Sequence, residues 1–512
     1  MTVPAAEDRA PDPPETKHAS AGHIVGRGML ALVFSQLVTT PVSMVVQALI
    51  ARRLGAGPFG AIYFATTALG VWYLFVEWGG HAQVAAEVAR DRSAAGRLFA
   101  SGMLLRIAFA AAVIFVIPSF GRWMQYDEAV RLALSLVSLK LALQGLGALC
   151  LAVVRGFERV HWQARSQVFG NLAEAALVVV ALLRGGGLED VLIAQVIAAG
   201  ITLAIQVWMV VRLQIGAWRP DWLTAQNIVR GGFSFLILDV VVRLQPYIDA
   251  AFLDRLAPPE ALGWHSAAAR ISGVLIFPAL TLNFALYPTL ARLWTTDRDT
   301  YSSLVRLGLR TVAIIGILAG TGTALFAPWV VASIYGASFA PAAASLSVMS
   351  VFIVLVYGSI VLGPSIAAAG RQWWWCGAQS LCLVVSALLD PILIPWAQQR
   401  YGNGSLGVSI SVSLAEVAMV ACGLLIVPRG VVNHALGRTL ARCLFAALAS
   451  ASAAWLLRDL PFVAVPTTVV VYLGVLWLQR ELDPELLVLA PPWLARVLRP
   501  LTARASALQA SR

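Results

Sequence analysis

The sequence predicts an all-α membrane protein that crosses the bilayer many times. Of its 512 residues, 59% are hydrophobic and only 12% are charged, and the mean hydropathy is +0.79. Soluble domains carry about 25% charged residues, so water cannot be the main solvent of this chain. Apolar runs of about 20 residues, the length that a helix needs to cross the hydrocarbon core, follow one another along the sequence.

Fourteen apolar runs, each bounded by charged residues or by Gly and Pro, predict fourteen spanning helices. In chain order they lie near residues 27–50, 60–80, 97–119, 130–153, 163–183, 189–213, 231–253, 262–288, 306–333, 342–368, 373–395, 405–427, 436–457 and 462–479. The first twelve are expected to form two six-helix lobes around a central cavity, at residues 25–214 and 231–430. The last two, within residues 431–480, are expected to be appended to these lobes.

Three segments are expected to lie outside the spans. Residues 1–24 are polar and rich in Pro and Ala, without the apolar core of a signal peptide, which predicts a disordered cytoplasmic tail. Residues 215–230 are predicted to be a cytoplasmic linker between the lobes, and residues 481–512 a basic cytoplasmic tail.

The basic residues predict the orientation of the chain in the membrane. If the amino terminus is cytoplasmic, the cytoplasmic segments hold 25 Lys and Arg residues and the outside loops hold only 8. Cytoplasmic loops of membrane proteins carry an excess of Lys and Arg. Both termini are therefore predicted to be cytoplasmic, and the net charge of +11 is assigned to these loops and not to a nucleic-acid surface.

An internal repeat relates the first helices of the two predicted lobes. Residues 27–63 align with residues 230–266 at a constant offset of 203. Six spans separate the copies, so both enter the membrane from the same side, as in transporters built from parallel repeats. The identical pairs include Arg27 and Arg230, Gly28 and Gly231, Arg52 and Arg255, and Gly60 and Gly263.

Motifs for nucleotide or metal chemistry are not supported. The Gly55–Gly60 segment matches the dinucleotide fingerprint, but it follows a predicted span and no strand precedes it. The sequence has no P-loop, its six histidines are scattered, and its five cysteines form no CxxC pair. We therefore expect neither a cofactor nor an ATP-driven or metal-dependent activity.

Polar side chains inside the predicted spans are the candidate binding residues, because a charge in the bilayer must face a partner or a wet cavity. The first span carries a polar stripe at helical spacing, made of Gln36, Thr40, Ser43 and Gln47. The repeat offset places Gln36 on Asp239 and Thr40 on Arg243, and it places Thr67 on Arg270. The stripes either line one central cleft or hold neighbouring helices together, and Asp239 and Arg243 either bind substrate or only neutralise each other.

Two further intramembrane charges, Lys140 and Asp249, complete the set of candidate binding residues. Pro246, Pro278 and Pro288 lie within or at the end of the seventh and eighth predicted helices. A lost backbone hydrogen bond at such a position permits bending, either as a structural kink or as a hinge.

Four segments of the sequence resemble the multidrug/oligosaccharidyl-lipid/polysaccharide exporter superfamily, and within it the polysaccharide flippases of the O-antigen and capsule type. The third segment, in which Tyr-Gly and an Ala run lead into a span that ends in Gly-Arg, is the most distinctive. The segments are ARRLGAGPFGAIYFATTAL from Ala51, IDAAFLDRLAPPEALGWHSAAARI from Ile248, IYGASFAPAAASLSVMSVFIVLVYGSIVLGPSIAAAGR from Ile334 and ILIPWAQQRYGNGSLGVSISVSLAEV from Ile392.

The resemblance implies alternating access and a polyprenyl-diphosphate-linked oligosaccharide as the substrate, moved across the bacterial inner membrane. It also implies contact with membrane lipids, coupling to H⁺ or Na⁺, and a polysaccharide polymerase with its export machinery as candidate partners. Asp249 matches the acid that the family often places late in the seventh helix. Arg270 matches a basic residue that the family places in the eighth helix. The tyrosine that the family places before that basic residue is His265 or Ser266 here.

Two other functions stay open on the sequence. A drug or cation antiporter of the same superfamily would use acidic residues such as Asp239, Asp249 and Asp390. A membrane polysaccharide polymerase or ligase would rely on a long catalytic loop, and no predicted outside loop exceeds roughly a dozen residues. A peptidoglycan-precursor flippase is disfavoured, because no span carries the dense arginine cluster expected of one.

Overall fold

A computed structural model describes the backbone of residues 15–78, 80–457 and 460–482. Within these residues the side chains of 15–34, 80–82, 232–239, 242, 284 and 285 lie outside the description. The described chain forms fifteen α-helices and two short 3-10 helices, and no strand occurs within it. The all-α prediction is confirmed.

The α-helices follow one another with short connections. The first eight are α1 (Glu15–Leu54), α2 (Ala56–Glu77), α3 (Gly80–Arg90), α4 (Ala95–Trp123), α5 (Glu128–Gly156), α6 (Val160–Leu183), α7 (Leu188–Arg212) and α8 (Trp222–Leu256). The remaining seven are α9 (Pro259–Thr296), α10 (Arg298–Tyr335), α11 (Ala342–Ala368), α12 (Gln372–Tyr401), α13 (Gly404–Ile426), α14 (His434–Leu456) and α15 (Pro461–Leu478). The 3-10 helices are Arg92–Ala94 and Ala337–Phe339.

Thirteen helices of the described residues are long and apolar enough to cross a membrane: α1, α2, α4 to α7 and α9 to α15. Each coincides with one of the fourteen predicted spans, so those thirteen predictions are confirmed. α8 covers the remaining predicted span, 231–253, but it is not among the thirteen, and part of its side chains lie outside the description. α3 was not predicted, and its eleven residues extend about 17 Å, too short to cross.

The predicted polar segments are partly helical. α1 begins at Glu15, so residues 15–24 of the predicted tail belong to a helix, whereas residues 1–14 lie outside the described residues. α8 begins at Trp222, inside the predicted linker. Of the predicted carboxy-terminal tail, only residues 481 and 482 are described.

A single residue, Asp297, connects two of the longest helices. It ends α9 and caps the start of α10, where its carboxylate accepts hydrogen bonds from the backbone N–H groups of Asp299 and Thr300 at 3.1 and 3.0 Å. A hydrogen bond from the Thr300 hydroxyl, together with these backbone bonds, lowers the pKa of the Asp297 carboxyl below its ordinary value. The side chain thus satisfies donors that a helix start leaves free, and the chain can reverse within one residue.

The chain divides into two compact units. Unit 1 contains Met1–Val46, Phe75–Ile117 and Ser138–Phe235. Its core consists of buried apolar side chains from α3, α4, α5, α7 and the start of α8, among them Val88, Phe99, Leu149, Val210 and Ile228.

Unit 2 contains Gln47–Leu74, Pro118–Val137 and Leu236–Arg512. Its main core lies among α9, α10 and α11, with residues such as Leu286, Val305, Tyr357 and Ile366. Residues 47–74 are therefore grouped with the second half of the sequence, and the predicted lobe boundaries stay predictions.

The last two helices contact α10 in two places, through buried residues around Tyr472 and through the buried carboxylate of Glu481. The Tyr472 hydroxyl of α15 donates to the Ile314 carbonyl of α10 at 2.9 Å, and Cys443 of α14 is buried beside it. Glu481, directly after α15, is 4% exposed. It forms the Glu481 network, in which it accepts from Arg442 at 2.5 Å, Thr439 at 2.9 Å and Arg310 at 3.3 Å.

Candidate functional site

Two buried carboxyl groups meet inside unit 2. Asp249 of α8 is 4% exposed and Asp390 of α12 is fully buried, and the two are close enough to interact electrostatically. The Ser386 hydroxyl donates to Asp249 Oδ1 at 2.8 Å and lies 3.3 Å from the Ser411 hydroxyl of α13. We call Asp249, Ser386, Asp390 and Ser411 the acid cluster.

The buried carboxyl group of Asp390 indicates which ligands the acid cluster could bind. Neither of its carboxylate oxygens has a hydrogen-bond partner in the described part of the chain, although both are buried. Ionising both of two neighbouring buried carboxyl groups is costly, so the Asp249–Asp390 pair favours a bound proton or cation. Carboxylate and hydroxyl oxygens are the ligands that hard cations prefer. The ligands of the acid cluster are carboxyl and hydroxyl oxygens alone, which suit H⁺ or a hard cation better than a transition metal that prefers nitrogen or sulfur.

A third buried acid lies nearby in sequence but has its own partner. Glu416 of α13 is 7% exposed, and its carboxylate accepts from the Ser359 hydroxyl of α11 at 2.5 Å. The bond joins two neighbouring helices of unit 2, and it explains how an acid is tolerated in α13.

Arg243 is an exposed cation in the middle of α8. Its guanidinium lies 5.9 Å from the ring centroid of Tyr73. The side chain of Asp239, its predicted partner one turn earlier, lies outside the described residues, so the pair stays a prediction.

Arg270 of α9 is half-buried against aromatic side chains of α2. Its Nε donates to the Ser266 hydroxyl at 3.3 Å, and its guanidinium lies 5.3 Å from the Phe59 ring centroid. His265 is 3% exposed, its Nδ1 has no hydrogen-bond partner within the described residues, and its ring meets Tyr63 edge-on at 5.6 Å.

The repeat-related glycines lie at this same place. A Cβ on Gly60 would lie 2.7 Å from the Gly263 backbone nitrogen, and a Cβ on Gly263 would collide with the Ala56 carbonyl. Only glycines allow α2 and α9 to approach this closely. We call this contact, with Phe59 and Tyr63 on one side and His265 and Arg270 on the other, the α2–α9 seam.

Arg52 joins the end of α1 to the end of α10, close in sequence to the α2–α9 seam. Its guanidinium donates to the Ile334 carbonyl at 2.8 Å and also to the Ser333 carbonyl. A cation on the last carbonyls of a helix is favourable because those carbonyls lack partners within the helix.

The predicted polar stripe of α1 is only partly buried. Gln36 and Ser43 are exposed and Thr40 is half-buried. The Gln47 side-chain oxygen is buried without a hydrogen-bond partner among the described residues. Gln36 and Thr40 belong to unit 1 and Gln47 to unit 2, and no hydrogen bond joins any of the three to another candidate in the described part.

Lys140 lies in unit 1 and is paired. Its ammonium lies 2.7 Å from the Glu174 carboxylate and 3.1 Å from the Gln195 side-chain oxygen. The three residues join α5, α6 and α7. The geometry supports a neutralised pair, and a role for Lys140 in substrate binding stays a prediction.

The predicted site residues thus fall into separate groups. Asp249 lies with Asp390 in the acid cluster, Arg270 lies at the α2–α9 seam, and Lys140 lies in unit 1. Sequence reasoning missed Ser386 and Ser411. The signal for Ser386 was present, because it lies four residues before Asp390 and so on the same face of α12.

Solved structures of transporters have the same fold. The chain is similar to the lipid II flippase MurJ in its inward closed conformation, at 12% identity over 88% of this chain and 99% of that one, with a TM-score of 0.75. An inward-facing multidrug resistance MATE family transporter of the MOP superfamily matches at 16% identity over 80% and 99% of the two chains, with a TM-score of 0.66. The Vibrio cholerae MATE transporter VcmN in its bent form matches at 15% identity over 83% and 99%, with a TM-score of 0.55.

These likenesses and the apolar helices define a multi-pass helical membrane protein with the fold that the MurJ and MATE structures share. No curated protein matches the chain. The family model described as "Polysaccharide biosynthesis protein" matches residues 25–294, more than half of the sequence. The chain belongs to this polysaccharide biosynthesis protein family, as the resemblance of its sequence segments implied.

Proposed function

We propose that this protein is a flippase that moves a polyprenyl-diphosphate-linked oligosaccharide across the bacterial inner membrane for surface polysaccharide biosynthesis. Membership of the polysaccharide biosynthesis family supports a saccharide substrate. The fold, shared with a lipid II flippase, supports a lipid-linked one.

The observation that carries the proposal is Arg243. Its guanidinium is exposed in the middle of α8, between apolar segments of the helix. Lipid tails would make this exposure cost several kcal/mol, so the side chain must face a polar space or an anion. Arginine binds phosphate oxygens through two parallel hydrogen bonds, which suits the diphosphate of a lipid-linked sugar.

The acid cluster supplies a means of driving the transport. Asp249 and Asp390 bind H⁺ or Na⁺ in this proposal, and binding stabilises one of two conformations more than the other. No P-loop occurs in the sequence, so an ion gradient or the substrate gradient is the energy source.

A drug or cation antiporter is the second candidate, and the acid cluster favours it together with the MATE structures of the same fold. Both functions use the acid cluster, but only a flippase of the proposed kind needs Arg243 for a diphosphate. A polymerase or ligase is disfavoured, because the longest connection between described helices is residues 213–221.

The experiment compares Arg243→Ala, Asp239→Asn and the double variant in a strain that lacks the chromosomal copy. Surface polysaccharide and folded protein yield are both measured, with Arg184→Ala, an exposed loop arginine, as the matched control. We expect Arg243→Ala and the double variant to lose at least 90% of the polysaccharide at normal yield, because a cavity cation binds substrate more than it stabilises packing.

The outcomes separate binding from pairing. If Arg243 only neutralises Asp239, then Arg243→Ala lowers the yield and the double variant restores both yield and polysaccharide. Full polysaccharide output in the double variant would overturn the binding role. Loss of drug resistance with unchanged polysaccharide, in any of the three, would assign the protein to the antiporters.

A further inference from the structure

A groove of about 600 Å³ lies between α6 and α7 in unit 1. Its walls are mainly apolar side chains, and three of them have large exposed fractions: Phe169 (56%), Trp208 (53%) and Ile201 (39%). One charged residue, Arg165, also lines it.

The floor of the groove is built by close helix packing. The Gln206 side-chain amide donates to the buried Ser166 hydroxyl at 3.2 Å. One turn further, a Cβ on Gly170 would lie 2.6 Å from the Thr202 hydroxyl. A hydrogen bond and a glycine contact therefore hold the two helices together beneath the groove, and the larger side chains form its two ridges.

The mouth of the groove is cationic. α6 begins at Val160 and α7 ends at Arg212, so Arg165 and Arg212 lie at the same end of this helical hairpin. The Arg212 guanidinium lies 4.9 Å from the ring centroid of Trp208, which lines the groove. The predicted topology places this end on the cytoplasmic side.

No carboxylate competes for these arginines on the two helices. Glu174 is paired with Lys140, and Glu189 and Asp190 lie at the opposite end of α7. Glu158, before α6, lies 3.7 Å from Arg92. Arg165 and Arg212 therefore leave an excess of positive charge at the mouth.

We propose that this groove binds one anionic phospholipid of the cytoplasmic leaflet. The phosphate of this lipid lies between Arg165 and Arg212. One of its acyl chains lies in the groove along Phe169, Ile201 and Trp208. Basic pockets between spanning helices on the cytoplasmic side suit anionic headgroups. A free phosphate ion is excluded as the main ligand, because it has no apolar part to fill the apolar groove.

The test measures lipid retained by the purified protein in native mass spectrometry, after titration with phosphatidylglycerol or with phosphatidylcholine of the same acyl chains. We expect one phosphatidylglycerol molecule to bind at least tenfold more tightly than phosphatidylcholine. Each arginine can form charge-assisted hydrogen bonds to its phosphate, which no choline group shields. Arg165→Ala and Arg212→Ala should each weaken this adduct about tenfold, and Arg165→Lys less. Arg184→Ala, at the opposite end of α6, is the matched control and should leave it unchanged.

A second variant tests the apolar part of the groove separately from the charges of Arg165 and Arg212. Ile201→Trp fills the groove and should remove the specific adduct, while size-exclusion chromatography reports whether the protein stays folded. Equal binding of the two lipids, or full phosphatidylglycerol binding by Arg165→Ala or Ile201→Trp, would overturn the proposal. Displacement of phosphatidylglycerol by equimolar polyprenyl phosphate would also overturn it and assign the groove to the tail of the transported lipid. The measurement needs no transport, so it is independent of the proposed function.

Discussion

Two charged side chains within the described spans have polar partners on neighbouring helices. Lys140 is paired with Glu174, and Arg106, which is 4% exposed, donates to the Gly145 carbonyl at 2.6 Å. Each bond removes most of the cost that an unpaired charge has in the bilayer. Asp390 contrasts with these pairs, because its carboxylate oxygens have no hydrogen-bond partner among the described residues.

The Lys140 pair gives a prediction on stability. Lys140→Met should lower the free energy of unfolding by about 1–3 kcal/mol, because it leaves the Glu174 carboxylate without its cation. Lys140→Met combined with Glu174→Gln should recover most of the loss. Thermal unfolding in detergent measures all three proteins. A double variant as unstable as Lys140→Met would show that the ammonium has a role beyond pairing.

The sequence identified charged residues in spans but not their partners. Lys140 and Asp249 stood out because charge in an apolar run is costly, which is a local property. Their partners are remote: Glu174 is 34 residues from Lys140, and Ser386 is 137 residues from Asp249. Such contacts depend on how helices pack, and periodicity along one helix cannot show that.

At the scale of the helices, apolar runs located the spans but not their full lengths. α9 was predicted at residues 262–288, whereas it extends to Thr296. Its end is polar and continues beyond the apolar run, because Asp297 caps the start of the next helix and ends this one. α3 was missed because its eleven residues are amphipathic and short, so no span-length apolar run marks them.

The repeat aligns Gly60 with Gly263 but predicts no contact between them, and the structure brings the two glycines together. Gly263→Ala should lower the free energy of unfolding by about 1–3 kcal/mol, because the new Cβ meets backbone that cannot rotate away. Gly57→Ala on the same α2 is the matched control. A Cβ there meets nothing within 4 Å, so the helix should gain up to ~1 kcal/mol from alanine. Equal unfolding midpoints for the two variants would contradict the close crossing.

For the whole molecule, the basic residues predict which loops face the cytoplasm. In a background without the five native cysteines, single cysteines beside Arg92 and Arg298 should react only with reagents that reach the cytoplasm. Arg92 begins the 3-10 helix between α3 and α4, Arg298 begins α10, and both are exposed, so a reagent can reach them without unfolding. A control cysteine beside Arg184, in a predicted outside loop, should react from the periplasm. Periplasmic labelling at Arg92 or Arg298 would refute the orientation.

The Glu481 network has a consequence for the order of biogenesis. Ribosomes make Arg310 171 residues before Glu481, and both α14 and α15 are complete before that carboxylate emerges. Until Glu481 is synthesised, Arg310 and Arg442 cannot form their bonds to its carboxylate. Assembly of this end of unit 2 is therefore completed only by one of the last described residues. A premature stop codon before position 481 would remove the carboxylate that links Arg310 of α10 to Arg442 and Thr439 of α14.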